Sequence, residues 1–98
     1  MTDLVPNKFN LYVGQRDLNN GIRNLCDCCP VALALKRKFP NSSILVGTTR
    51  CLINRKGYKI CNIGQHLIFN FDTAFKQVKP SRIIITRINN AKSTVSNK

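Results

Sequence analysis

The sequence contains no glutamate and no tryptophan, one histidine (His66), and four acids, all aspartate: Asp3, Asp17, Asp27 and Asp72. Chemistry that needs two carboxylates, whether a paired acid and base or a two-metal nuclease centre, is hard to assemble from so few. The five glycines are scattered and match neither G-x-G-x-x-G nor G-x-x-x-x-G-K, so no phosphate-cradling loop is encoded. No Ser or Cys nucleophile can be identified beside His66. An enzyme is therefore not expected. The longest apolar stretches, residues 31–35 and 83–85, fall far short of a membrane span, which takes roughly 18–20 residues. Residues 1–6 carry neither the basic n-region nor the apolar h-region of a signal peptide. These absences lead to the expectation of a soluble, cytoplasmic protein with no membrane partner.

What the chain does have is positive charge. Sixteen Lys and Arg against four Asp give a formal net charge of +12 in 98 residues. Self-repulsion at that level costs stability, so an acidic partner is expected to offset it: nucleic acid, an acidic protein surface or an anionic membrane face. Apolar residues make up 43% of the chain, a globular rather than a disordered composition, and the length allows one domain.

Residues 1–8 are polar, contain Pro6, and read as a flexible lead-in; residues 89–98 read as a disordered polar tail. Between them, residues 9–88 form the domain. Phe9, Leu11 and Val13 alternate with Asn10 and Tyr12, the period of a strand. Leu18 and Ile22, four apart, allow one short helical turn before Asn19-Asn20-Gly21 breaks it. Pro30 suits the first position of a helix, with Val31, Ala32, Leu35 and Phe39 on its apolar face and Lys36-Arg37-Lys38 in its last turn. Ile44-Leu45-Val46 is a short strand. Cys51-Leu52-Ile53 and Tyr58-Lys59-Ile60 flank Asn54-Arg55-Lys56-Gly57, a hairpin in which Gly57 is expected to supply the positive φ. A second long helix is expected from near Gly64 to about residue 77, with Leu67, Ile68, Phe71 and Phe75 as its stripe. Residues 82–88 are β-branched on both faces, the pattern of a strand covered on both sides. The order β–α–β–β–β–α–β predicts an α+β domain: about five short strands in a largely antiparallel sheet with two helices packed on it.

The five cysteines are odd in number and clustered at Cys26, Cys28 and Cys29, then Cys51 and Cys61. Without an export signal a disulfide framework is not expected. Cys26 and Cys29 form a C-x-x-C at a helix start. That spacing supplies two ligands of a zinc site, which Cys51, Cys61 and His66 could complete, although those three are not paired in a ligand motif. A thiol lowered by the helix N-terminus would instead suit redox chemistry. Packing as small apolar groups is the third use. Zinc is the only cofactor these residues suggest.

The segment Cys26-Asp27-Cys28-Cys29-Pro30-Val31-Ala32-Leu33-Ala34-Leu35 carries a Cys-x-x-Cys-Pro-[Val/Ile]-Ala-Leu-Ala block after an Asn-Gly turn. In this it resembles a group of short proteins from tailed phages and prophage regions. Phe71-Asp72 in the second long helix and Val78-Lys79-Pro80 before the last strand are similar to features of the same group, so the resemblance spans roughly residues 9–88. Cys28, the Lys36-Arg37-Lys38 cluster and the strong basic charge depart from the group, whose members are often closer to neutral. The resemblance implies a viral or virus-derived accessory protein acting inside a host cell, and it implies no activity.

The basic residues gather at Lys36-Arg37-Lys38, at Arg50 with Arg55, Lys56 and Lys59, and at Lys76, Lys79 and Arg82. The hairpin tip at Arg55-Lys56 is exposed by construction and could straddle a phosphate backbone. The seven candidates for binding nucleic acid or an acidic partner are thus Lys36, Arg37, Lys38, Arg50, Arg55, Lys56 and Lys59. Tyr12, Tyr58 and Phe69 are the aromatics that could stack on bases. Two functions follow. One is non-specific binding of DNA or RNA through phosphates. The other is inhibition of a host enzyme or defence complex by a basic protein-binding surface, with charge mainly raising the on-rate. An exposed sheet edge leaves a homodimer open.

Overall fold

The alternation in KFNLYV is realised as strand β1, Lys8–Val13, in which Phe9, Leu11 and Val13 are buried and Lys8, Asn10 and Tyr12 face outward. The computed structural model describes residues 5–22, 25, 27–73 and 78–88. After β1 the chain turns at Gly14 into a short helix α1, Gln15–Asn20, whose third residue Asp17 accepts a hydrogen bond from the Gly14 N–H at 2.9 Å. Helix α2, Pro30–Lys38, starts where proline predicts it to start. The Sγ of Cys29 caps it, accepting from the Ala32 N–H at 3.4 Å and satisfying one of the orphan donors of the first turn.

Strands β2 (Ile44–Val46), β3 (Arg50–Ile53) and β4 (Lys56–Ile60) form an antiparallel meander. Helix α3, Asn62–Thr73, leads toward β5, Ser81–Arg87. β5 pairs antiparallel with β4 on one side and with β1 on the other, giving the sheet order β1-β5-β4-β3-β2. The inward residues of every strand share one parity. They join Val31, Ala32, Ala34 and Leu35 of α2 and Leu67 and Ile68 of α3 in a single core. The helices therefore cover one face of an antiparallel sheet, an α+β fold of two layers. Gly64 lets α3 lie close to that sheet: a Cβ there would meet the Ile60 Cγ2 at 2.5 Å and the Ile83 Cδ1 at 3.0 Å. Among the described residues no helix is long and apolar enough to cross a membrane.

Four expectations need adjustment. The short turn after Gly14 is a helix in its own right, so the order is β–α–α–β–β–β–α–β. The last strand is not covered on both sides, because Ile84 is 40% exposed while Ile83 and Ile85 are buried. A β-branched run marks strand propensity, and here it misreports burial. The hairpin turn is two residues, Asn54 and Arg55, with φ of 55° and 69°, and Gly57 lies within β4 with no positive φ. Two successive positive φ values match the twist of the flanking strands, which selects this turn type. Lys8 belongs to β1 and Val5 packs half-buried against the core, so the strand and its anchor reach into the expected lead-in. The expected tail at residues 89–98, the last turn of the second long helix at 74–77 and residues 1–4 lie outside the described residues.

Candidate nucleic-acid interface

Because the helices occupy one side, the other face of the sheet is open, and strand register decides what lies on it. Lys8 pairs with Thr86, Thr86 with Lys59, and Lys59 with Arg50. All four are exposed. These pairs make one continuous row across four strands, Lys8–Thr86–Lys59–Arg50. At about 4.8 Å per strand, the row is roughly 14 Å long. A second row, two residues along the strands, joins Gly57 with Leu52 and Leu52 with Leu45. Ile88 closes that row: its N–H donates to the Gly57 carbonyl at 2.9 Å, and its Cδ1 lies 3.7 Å from where a Gly57 Cβ would be. On the opposite flank of the cationic row stand Asn10 with Ile84, and beyond them Tyr12 with Arg82. Each step of two residues is about 7 Å. The face thus carries a row of cations with an apolar row, Leu45, Leu52 and Ile88, on one side and the exposed Ile84 and Tyr12 among polar neighbours on the other.

Four large apolar side chains are exposed on this face: Tyr12 (55%), Leu45 (50%), Leu52 (43%) and Ile84 (40%). None of the described acids belongs to a strand, since Asp17 and Asp72 are in helices and Asp27 precedes α2. Among the described strand residues the charges of Lys8, Lys59, Arg50 and Arg82 therefore stand without a carboxylate. Gly14 leaves room for the Tyr12 ring, whose Cε2 would be 3.0 Å from a Cβ at that position.

The seven basic residues singled out by sequence do not form one patch. Arg50 and Lys59 are cross-strand neighbours on the open face. Arg55 occupies the hairpin turn, and Lys56 follows it on the helix-bearing side, opposite Ile53. Residues 36–38 end α2, on the covered side. Lys36 donates from Nζ to the Asp27 carbonyl at 2.6 Å. Lys38 sets its Nζ 6.0 Å and 5.9 Å from the Phe9 and Phe39 rings, in cation–π range. Arg37 is committed to holding the fold together. Its guanidinium grips both oxygens of Asp17, Nη2 to Oδ2 at 2.8 Å and Nη1 to Oδ1. Burial pushes the Asp17 carboxyl up. The Arg37 hydrogen bonds, the Gly14 N–H and the charges of Arg37 and Arg16 outweigh it, holding the group below its ordinary value of 3.8. That pair ties α2 to α1.

Of the three aromatics, Tyr58 is 1% exposed and packs edge-on against Phe9 at 6.1 Å, so it belongs to the core. Tyr12 lies on the open face, and Phe69, also 55% exposed, projects from α3 in the other layer. Lys8 and Arg82 are not among the seven candidates, and sequence marks Leu45, Leu52 and Ile84 only as strand residues. The signal that finds them is strand phase: residues of one parity in β1, β3 and β5 share a face, however far apart they are in sequence.

The cysteines are dispersed in role. Cys26 lies outside the described residues, so a Cys26–Cys29 ligand pair cannot be placed. Cys29 is buried as the cap of α2. Burial, with Cys29 nearby, pushes the Cys51 thiol up to about 12, which keeps it protonated and unreactive. The Cys61 Sγ accepts from the Ile84 N–H at 3.3 Å. Among the described residues no three of His, Cys, Asp and Glu are grouped so as to hold a metal ion.

No protein-family model, no curated protein and no solved structure matches this chain.

Proposed function

We propose that this chain is a small basic accessory protein of phage type that binds nucleic acid without sequence preference through phosphate contacts, and that it is a binding protein rather than an enzyme. One observation carries the reading: the Lys8–Thr86–Lys59–Arg50 row, on a sheet whose described strand residues include no carboxylate. Each phosphate held by Lys or Arg releases condensed counterions, and that release drives association. Arg82 adds a fourth cation to the face, and Arg55 and Lys56 extend the charge beyond it at the hairpin tip. Four phosphate contacts give a slope of log K against log salt of about −3 to −4.

The test is fluorescence anisotropy with labelled single-stranded DNA, duplex DNA and RNA at several salt concentrations. Binding with a slope of that size, reduced by about 1.5–2 in an Arg50→Gln/Lys59→Gln protein, supports the proposal. Absence of binding to all three near physiological salt refutes it. A second reading, inhibition of a host enzyme or defence complex, is favoured by the four large apolar side chains exposed on the same face. Such groups anchor protein interfaces and add nothing to a purely phosphate contact. Under that reading a nuclease-treated host lysate yields a stoichiometric protein complex that Leu52→Asp abolishes.

A further inference from the structure

We infer that the occupant of the open face is single-stranded nucleic acid, its phosphates along Lys8, Lys59 and Arg50 and its unpaired bases on the exposed apolar side chains that flank them, Leu45 and Leu52 on one side and Ile84 and Tyr12 on the other. The inference rests on the nucleic-acid reading above and deepens it. The face is too wide for a duplex groove. Five strands at about 4.8 Å make a face roughly 19 Å across. The major groove of a duplex is about 12 Å wide and admits a helix or a two-stranded ribbon. This face cannot enter a groove, so on a duplex it would reach phosphates alone and leave its apolar rows against water and charge.

The spacing of cations and apolar side chains also suits a single strand. The rows of Leu45 and Leu52 on one side and Ile84 on the other lie about 7 Å from the cations, the reach from a phosphate to its own base. A single strand is amphipathic in the same sense, with a charged backbone and exposed apolar base faces. Tyr12 offers, among the described residues, the one exposed aromatic ring on the face, and stacking on such a ring is tolerant of sequence because every base has a π-face. Arg82, its cross-strand partner, stands beside it to hold the adjoining phosphate.

The experiment compares oligothymidylate, oligouridylate and a blunt duplex, titrated in parallel against the intact chain and two variants, Tyr12→Ala and Leu52→Ser. Both positions are exposed, and thermal unfolding of each variant checks that the fold is kept. The expected result is tighter binding to both single strands than to the duplex. Tyr12→Ala should then weaken single-strand binding about tenfold, the loss of one stacked base, leaving duplex binding and the salt slope unchanged. Leu52→Ser should act in the same direction. Equal affinity for duplex and single strands, unmoved by either variant, overturns the inference and leaves phosphate binding standing. Duplex binding lost in a third variant, Arg55→Ala, and in neither of the other two overturns it in favour of the hairpin tip as a groove reader. No binding to any of the three overturns this inference and the nucleic-acid reading together.

Discussion

Replacing Arg55 by glycine should stabilise the protein, although it removes a side chain from the two-residue turn between β3 and β4. Arg55 has φ of 69°, in the left-handed region, where a side chain with a Cβ costs about 1–2 kcal/mol. Glycine removes that strain but adds about 0.5–1 kcal/mol of unfolded-state freedom. The net gain is about 0.5–1 kcal/mol, and for a domain of this size roughly 4 °C in Tm. Asn54, at φ 55°, is the internal control. Its Oδ1 accepts from the Ser43 N–H at 3.0 Å and its Nδ2 donates to the Ser42 Oγ at 2.9 Å. Those bonds fasten the turn to the residues entering β2. Asparagine also tolerates the left-handed region better than arginine. Asn54→Gly should therefore destabilise, by about 1–2 kcal/mol for the two lost bonds. Urea unfolding of both variants, with slopes compared to ensure a common unfolded state, reads the difference directly. If Arg55→Gly is neutral or destabilising, or if the two variants move together, the strain assigned to this turn is wrong.

Gly64→Ala should destabilise by about 1–2 kcal/mol in the same assay, because overpacking against the buried Ile60 and Ile83 outweighs the roughly 1 kcal/mol gain in helix propensity; an unchanged midpoint would mean that α3 can back away from the sheet. The Asp17–Arg37 pair predicts an acid limb. Because the folded Asp17 lies below its ordinary 3.8, its contribution is complete above about pH 5 and is lost as pH falls through the unfolded value toward the lower folded one. In Asp17→Asn that part of the acid loss should be missing, and Arg37→Ala, which leaves the buried carboxylate with fewer donors, should cost about 1–3 kcal/mol at neutral pH.

Local signals in this sequence are legible where a local cause decides the structure. Pro30 starts α2 because its ring fixes φ and its missing N–H is not needed there. The alternation of Phe9, Leu11 and Val13 makes β1 because one of its faces is buried. The failures share a different origin. Ile83, Ile84 and Ile85 look alike in sequence, and Ile84 is exposed because the described helices all pack on the other face of the sheet. Asp17 and Arg37 are 20 residues apart, so nothing nearby marks Arg37 as a clamp rather than a free cation. Adjacency along the chain groups the basic residues one way. Register groups them another, setting Lys8 with Lys59 and Arg50 and sending residues 36–38 to the other layer.

The pairing of Lys59 with Arg50 bears most directly on what the face is for. Like charges directly opposite on one face of an antiparallel pair are destabilising, by up to about 1 kcal/mol, and no described strand residue offers a carboxylate to relieve them. Threonine at position 59 suits a strand better than lysine and would match Thr86 beside it. If stability alone shaped this row, Lys59→Thr would be an improvement. We expect it to raise stability by several tenths of a kcal/mol at low salt, with the gain shrinking as salt screens the repulsion, and to weaken polyanion binding at the same time. Unfolding and anisotropy on one protein, each at low and high salt, measure the two effects. Opposite signs mean that the fold carries Lys59 at a cost because its ligand needs the charge. A variant that is both less stable and unaltered in binding would show that the two cations are accommodated without repulsion, and the row would then be a solvated face with no demonstrated ligand.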